Sequence, residues 1–305
     1  MKDPLLVIDV SYMAHRAFHA IGELAYGSEG TGAIFGLLRD VLTLQDKFQT
    51  GRCVFAFDHP ARKHRQLDLP AYKSSRLRRY AEESEEEQQA RKDFRGQLKK
   101  LYRRYLPAAG FRNVFAAAGF EADDIIARVT GTLPPGDEAI IVSSDEDLWQ
   151  CCSVRPLVSC WNPYKNHLTT HAGFMERWGF GPERWAEVKA IAGCKTDDVP
   201  GVVGVGEATA AKYIRDELGE DTKAFQKIES YPWRANLRIV KLPYRGTPSF
   251  KIEPDEVTES KWQDLADALG MKSIRAMVPR TASRKSKGRV RHGKGFGFGS
   301  SVGDK

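Results

Sequence analysis

The chain of 305 residues has little that would tie it to an oxidising compartment or to a soft metal. Its five cysteines include no Cys-x-x-Cys pair and are not spaced with histidines as zinc ligands are, so neither a disulfide framework nor a zinc site is expected. Cys151 and Cys152 are adjacent and read as packed, reduced thiols of a cytoplasmic protein. No run of ~18 apolar residues occurs, which removes a membrane-spanning helix from consideration. Leu5–Ile8 is too short for the apolar core of a secretion signal, and it leads into an acid, Asp9. No internal repeat is present. One more absence is local: Gly119–Ile126 contains no Lys or Arg, although Glu121, Asp123 and Asp124 fall within four positions there.

What is present gives that last absence its meaning. Acids in the first turn of a helix are favoured by its dipole, and one of them can cap it. One is enough for a cap; three without a counter-charge repel unless a cation lies between them. Glu121 and Asp124 would share a helix face. The chain supplies further acids for the same place. Leu5–Ile8, Cys53–Phe57 and Glu138–Val142 read as buried strands, and each runs into acid: Asp9, Asp58, and Asp145 with Asp147. Helical patterns from Ser11 and over Ile34–Phe48 separate the first two, so the order strand, helix, strand predicts a mostly parallel sheet. Such sheets bind ligands at the carboxyl ends of their strands. Carboxylates without His or Cys at metal spacing favour Mg²⁺ or Mn²⁺. Two such ions ~4 Å apart can activate a water and stabilise the leaving oxygen of a phosphodiester.

Charge is unevenly spread. The net +7 equals the balance of residues 279–305, which hold eight Lys and Arg against one acid; the body carries 39 of each sign. The tail is low in complexity from Gly288 and is expected to be disordered and to meet a polyanion. Within the body, residues 60–106 break the strand–helix rhythm. Arg62–Arg65 come first, then Tyr72-Lys73-Ser74-Ser75-Arg76, then the acidic run Glu82–Glu87. A helix follows with an apolar stripe (Phe94, Leu98, Leu101, Tyr105) and a basic one (Arg91, Arg95, Lys99, Arg103). A basic stripe is ordinarily a solvated face. Interleaved tyrosines, and the position just after Asp58, favour contact with phosphate, with Lys73 or Arg76 against its charge. Farther on, Gly193-Cys194-Lys195-Thr196-Asp197-Asp198 leads to the glycine-rich Gly201–Gly206 and a helix around Lys212. Glycines before a helix N-terminus let backbone N–H groups approach a phosphate. Residues 221–277 read as a helical remainder without chemistry.

In these motifs the chain resembles the 5′-nuclease family: flap endonucleases, bacteriophage 5′–3′ exonucleases and the 5′-nuclease domain of bacterial DNA polymerase I. The resemblance covers roughly residues 4–275 and rests on Asp9 with Arg16, Phe57-Asp58, Tyr72-Lys73 with Arg76, Glu121-Ala122-Asp123-Asp124, Ser144-Asp145 with Asp147, and Thr196-Asp197 before the glycine hairpin. It implies an α/β fold: a Rossmann-like (PIN-like), mostly parallel sheet at 1–170, with a helical arch at about 60–106. It further implies a helix-hairpin-helix region at 171–278 and leaves the 279–305 tail outside. By the resemblance, Asp9, Asp58, Glu121 and Asp123 hold one Mg²⁺ or Mn²⁺, and Asp124, Asp145, Asp147 and Asp197 a second. Lys73 and Arg76 contact the scissile phosphate. Arg16, Tyr72, Gly201, Gly204, Gly206, Thr209 and Lys212 contact DNA, with K⁺ at the hairpin. The implied protein is a monomer of a bacterial or phage-infected cell, nucleoid-associated, acting on 5′ flaps, branches and free 5′ ends, with a DNA polymerase in trans.

The chain departs from that pattern at one position. Where relatives read Gly-Asp-x-x-Asp, Cys194 replaces an acid of the second group, and a thiol is a poor Mg²⁺ ligand. This keeps open a branched-DNA-binding protein with weak or no cleavage. A related ribonuclease is disfavoured by the arch and hairpin. A metal phosphatase is disfavoured because Asp9-Val10-Ser11 lacks a second Asp.

Overall fold

Leu5–Asp9 is buried along its whole length, as befits a strand covered on both faces at the middle of a parallel sheet. The computed structural model describes residues 3–21, 24–27 and 29–283; the tail from 284 onward lies outside the described residues. Six strands form the main sheet in the spatial order Val114–Phe115, Cys53–Ala56, Leu5–Asp9, Glu138–Val142, Leu157–Asn162, His167–Thr169. All neighbours are parallel except the last pair. Register aligns the strand ends: Asp9 lies opposite Ala56, and Ile8 opposite Val142. The acids that follow these strands therefore emerge at one edge.

The last two strands were not legible from the sequence. They are joined by a tight turn in which the Asn162 side-chain oxygen accepts from the backbone N–H of Tyr164 (3.0 Å) and Lys165 (2.9 Å). Asn166 closes it in the left-handed region, which asparagine tolerates. The glycine-rich turn at 27–32 carries a small two-stranded ribbon, Ala25–Tyr26 with Glu29–Gly30.

Each face of the sheet has its own core. On one, Ile125, Ile126 and Val129 meet Phe174, Trp185, Ile191 and Trp233. On the other, Met13, Ile34, Leu37 and Phe111 meet Trp262 and Leu265. Residues after 170 thus divide: those up to Val240 cover the first face, and Val257–Ile274 return to the second. Trp185 and Trp262 are fully buried; truncating either to Ala costs about 3–5 kcal/mol. Among the described residues no helix is long and apolar enough to cross a membrane.

The segment expected to form an arch contains the helices Arg65–Asp68, Ser74–Ala81 and Glu85–Lys100. Its acidic run starts the third helix: Ser84 Oγ accepts from Glu87 N and the Glu87 carboxylate accepts from Ser84 N, a capping box. Three glutamates fill the first turn and two lysines the last, matching the helix dipole. Part of the basic stripe is spent inside the arch. Arg91 donates to Glu83 at 2.6 Å, and Arg91 and Arg95 lie over the Tyr80 ring at 4.5 and 5.5 Å, clasping the two helices together. The helix then widens into a π-turn over Leu101–Tyr105, where Pro107 has no N–H to return to the Arg103 carbonyl.

Candidate active site

Four acids meet at the carboxyl edge of the sheet. Asp9, at the end of the central strand, is buried and accepts from Tyr12 N (3.0 Å) and Ser143 Oγ (2.9 Å). Asp58 follows the neighbouring strand and accepts from Ala122 N at 3.1 Å, which ties it to the start of helix Ala122–Gly131. Asp123 stands in the first turn of that helix. Asp145 caps the short helix after Glu138–Val142 by accepting from Asp147 N. Burial pushes Asp9 up to about 7, and the charges of Asp58 and Asp145 add to it. Burial also raises Asp123 well above the carboxylate range, reinforced by Asp145, Asp9 and Glu121. Asp145 keeps a surface in water, yet the packing around its carboxylate and the charge of Asp147 bring it to about 6.

Asp9, Asp123 and Asp145 lie close enough that each one's charge acts against ionisation of another. Among the described residues, no Lys or Arg forms an ion pair with any of them. Nor is any group of three or more His, Cys, Asp or Glu drawn in around one point as a metal's ligands are. Like charges spread until a cation gathers them, and oxygen donors of this kind suit Mg²⁺ or Mn²⁺.

Glu121 and Asp124, expected beside them as ligands, are differently engaged. Glu121 is the cap of the helix and lies 4% exposed. It accepts from Tyr72 Oη and Lys73 Nζ, each at 2.6 Å, and pairs with Arg65 at 3.4 Å. Burial alone would raise its pKa, but Lys73 and Arg65 outweigh it and hold Glu121 at about 2. Asp124 has no exposed surface at all. Its oxygens accept from both terminal nitrogens of Arg65 (2.6 and 2.7 Å), from Tyr244 N (2.8 Å) and from Glu121 N (3.1 Å). That corrects its expected place in the second group: with both oxygens committed to a buried guanidinium and two amides, Asp124 has none left for an ion.

Of the rest of that group, Asp145 lies with Asp9 and Asp123 and has no such partner among the described residues, whereas Asp147 and Asp197 face cations. Asp147 pairs with Lys189 at 2.8 Å, and Asp197 with Lys73 and Arg76 at 3.5 Å each, while accepting from Tyr72 Oη. Burial raises the Cys194 thiol, its contact with Thr196 Oγ1 at 3.1 Å works against that, and the charges of Asp197 and Asp147 add to the rise. Asp198 is turned elsewhere: it accepts from Ser75 N at 2.8 Å and caps an arch helix. Lys73 holds a left-handed backbone conformation, φ 56°, strained for a long side chain. Its N–H donates to the Asp197 carbonyl at 3.0 Å, which ties the start of helix Ser74–Ala81 to the Lys195–Asp197 turn.

Of the expected DNA contacts, Arg16 pairs with Asp40 and lines a cavity of about 450 Å³ with Tyr12, His15, Ser144, Tyr164 and Lys165. Helices Trp185–Ala192 and Glu207–Ile214 flank the glycine stretch. A Cβ at Gly201 would lie 2.1 Å from the Ala192 carbonyl oxygen, so only glycine lets the two segments touch. Gly204 has φ +81°, and Val203 beside it is 83% exposed. Gly206 and Lys212 are exposed, with Thr209 half-buried between them.

Three residues escaped sequence reasoning. Arg65 also donates through Nε to the Ile239 carbonyl, Ser143 bridges Asp9 and Asp145 N, and Lys189 reaches Asp147. Each acts through a contact distant in sequence; only the serine beside a strand-end acid carried a local signal.

A family model described as the 5′–3′ exonuclease, N-terminal resolvase-like domain matches residues 4–179. Thermostable DNA polymerase I of Thermus thermophilus is 31% identical over 230 residues, 75% of this chain and 26% of the polymerase. DNA polymerase I of Mycobacterium leprae is 31% identical over 221 residues, 70% and 23% respectively. The chain thus spans about a quarter of the length of the curated relatives it matches. Among solved structures, T5 5′-exonuclease with zinc bound is similar at TM-score 0.65 and 22% identity, over 79% of this chain and 90% of that one. The bacteriophage T5 flap endonuclease in a complex with DNA and metal ions gives 0.65 at 20% identity, over 90% and 96%. Likeness at these identities shows a shared fold.

Proposed function

Because the chain belongs to the family of 5′–3′ exonuclease N-terminal, resolvase-like domains, we propose that it hydrolyses DNA phosphodiesters at free 5′ ends and 5′ flaps, as a divalent-metal-dependent exonuclease and flap endonuclease of replication or repair. The observation that carries this reading is the group Asp9, Asp58, Asp123 and Asp145: four carboxylates at one sheet edge, two of them pushed up to about 7 and 6, beneath an arch that brings Lys73 and Arg76. These four would hold Mg²⁺ or Mn²⁺. Such an ion supplies a water of lowered pKa and a Lewis acid for a phosphoryl oxygen.

The chain's own groups do the rest. Ser143 and the Tyr12 amide orient the Asp9 carboxylate. Burial works against the charge on Lys73, but Glu121 and Asp197 outweigh it and keep the ammonium protonated. That leaves a fixed cation to offset charge growing on a phosphate, the kind of preorganised group that acts most strongly in the transition state. Arg76, half exposed, adds a second. The exposed tip of the Gly201–Gly206 hairpin, with Thr209 and Lys212, suits a duplex backbone, and its carbonyls suit K⁺. Arg16 and its cavity sit beside Ser144 and would take DNA next to the cut. A DNA polymerase that displaces 5′ strands is the partner this reading implies.

Cys194 favours a second reading, a branched-DNA-binding protein that cuts slowly. Incubating a 5′-labelled flap substrate with the protein in Mg²⁺, in Mn²⁺ and in EDTA separates the two. The nuclease reading expects cleavage in either metal and none in EDTA; binding without cleavage in both metals would establish the alternative.

A further inference from the structure

The second group of acids does not fit a second divalent ion. Asp145 lies with the first group, where its charge raises Asp9 and Asp123; Asp124 is sealed by Arg65, position 194 offers a thiol, and Asp197 is shared by Tyr72, Lys73 and Arg76. The remaining member, Asp147, is already paired with Lys189 at 2.8 Å. Lys189 is no surface tether. It rises from helix Trp185–Ala192 with its side chain 11% exposed, and its ammonium also reaches Glu207 Oε1 at 3.0 Å. Glu207 is the first residue of the helix that follows the glycine hairpin. The ammonium is therefore held between an acid of the sheet edge and an acid of the hairpin helix, largely out of water.

Resting on the nuclease reading above, we propose that Lys189 is a resident cation: its ammonium takes the place at Asp147 that a second divalent ion would take, so that the protein binds a single divalent ion tightly, at Asp9, Asp58, Asp123 and Asp145. Two features of the chain then explain each other. The loss of a carboxylate at position 194 removes one negative charge from the second group, and a monovalent ammonium balances what is left better than a divalent ion does. Burial alone would weaken the charge on Lys189, but Asp147 and Glu207 outweigh it and raise its pKa, so the amine stays protonated across the working range. An ammonium carries no water and cannot make a nucleophile. Lys189 is accordingly a positioning residue: it holds Asp147, neutralises the second group, and ties the acid edge to the hairpin helix.

The test is the Mn²⁺ stoichiometry of the full chain without DNA, read from the electron paramagnetic resonance signal of free Mn²⁺, with flap cleavage measured in parallel. Wild type is expected to bind one Mn²⁺ tightly. Lys189→Gln should gain a second Mn²⁺ at least about tenfold tighter than any second binding in wild type. Adding Cys194→Asp to it should tighten that second ion further, whereas Lys189→Arg, which keeps the cation, should remain at one. Two tight Mn²⁺ ions on the wild-type chain would overturn the proposal whatever the variants do, as would a Lys189→Gln/Cys194→Asp protein that folds and still binds one. Flap cleavage together with two tight ions would overturn only this inference; no cleavage in either metal would overturn the nuclease reading itself.

Discussion

Arg65→Ala is the most severe single change that the site's architecture predicts away from the reacting atoms. Arg65 is 4% exposed and Asp124 not at all. The substitution removes two charge-assisted bonds of 2.6 and 2.7 Å to Asp124, the contact to Glu121 and the bond to the Ile239 carbonyl. What remains is a carboxylate with no solvent and two amide donors. Breaking a buried pair from one side costs about 3–5 kcal/mol. At ~2–4 °C per kcal/mol for a chain of this class, the melting temperature should fall by roughly 6–20 °C. Asp124→Asn should fall in the same direction, because it leaves the guanidinium buried. The pair Arg65→Met with Asp124→Leu should regain only part of the loss, since the Tyr244 and Glu121 amides are left without an acceptor at ~1–3 kcal/mol each. Thermal unfolding by circular dichroism reads all three. The competing role for Asp124, a metal ligand, predicts the reverse: a nearly unchanged melting temperature and weakened Mn²⁺ binding in Asp124→Asn. That result would refute the clamp.

Lys73→Ala should lower the single-turnover cleavage rate by ~10²–10³ while changing flap affinity far less; a loss confined to affinity would make Lys73 a tether. The metal-free protein should lose stability as pH rises. Asp9 and Asp145 are raised to about 7 and about 6, so the folded state holds their protons more tightly than the unfolded one, and this contribution is present in full below about pH 4 and lost as pH passes through 6–7. Mn²⁺ should accordingly raise the melting temperature more at pH 8 than at pH 5, and equal shifts would contradict the assigned ligands. Deleting residues 284–305 should flatten the salt dependence of DNA binding without changing which structures are cut. The deletion starts there because Arg280 and Thr281 bond to Gln45 and Gly51 in the body; an unaltered salt slope would mean that the tail does not touch DNA.

The parts of the site that could be read from the sequence are those that local pattern controls. Leu5–Ile8, Cys53–Phe57 and Glu138–Val142 stand out because strands covered on both faces need unbroken apolar runs, and Asp9, Asp58 and Asp145 stand out because acid follows each run. Cys194 could be flagged because one chemistry-bearing residue stands where an acid is the norm; in the fold its Sγ lies 3.1 Å from Thr196 Oγ1. Asp124 was misread because it sits beside Asp123 with the same side chain. Only a partner 59 residues away, and an amide 120 residues away, separate their roles. Lys189 was hidden for the same reason, as an ordinary lysine on an ordinary helix until Asp147 is folded against it. Leu157–Asn162, though six residues long, has Ser159 and Asn162 in place of an unbroken apolar run, His167–Thr169 is only three residues, and their turn depends on one asparagine side chain.

At the heart of the nuclease reading is a divalent-metal site formed by Asp9, Asp58, Asp123 and Asp145. It is tested most directly by single-turnover cleavage of a 5′-labelled flap, comparing wild type with Asp123→Asn in saturating Mg²⁺ or Mn²⁺, with flap binding measured in the same samples. The account predicts cleavage by wild type, abolished by EDTA, and near-complete loss in Asp123→Asn with binding retained. Cleavage by Asp123→Asn at the wild-type rate would contradict it.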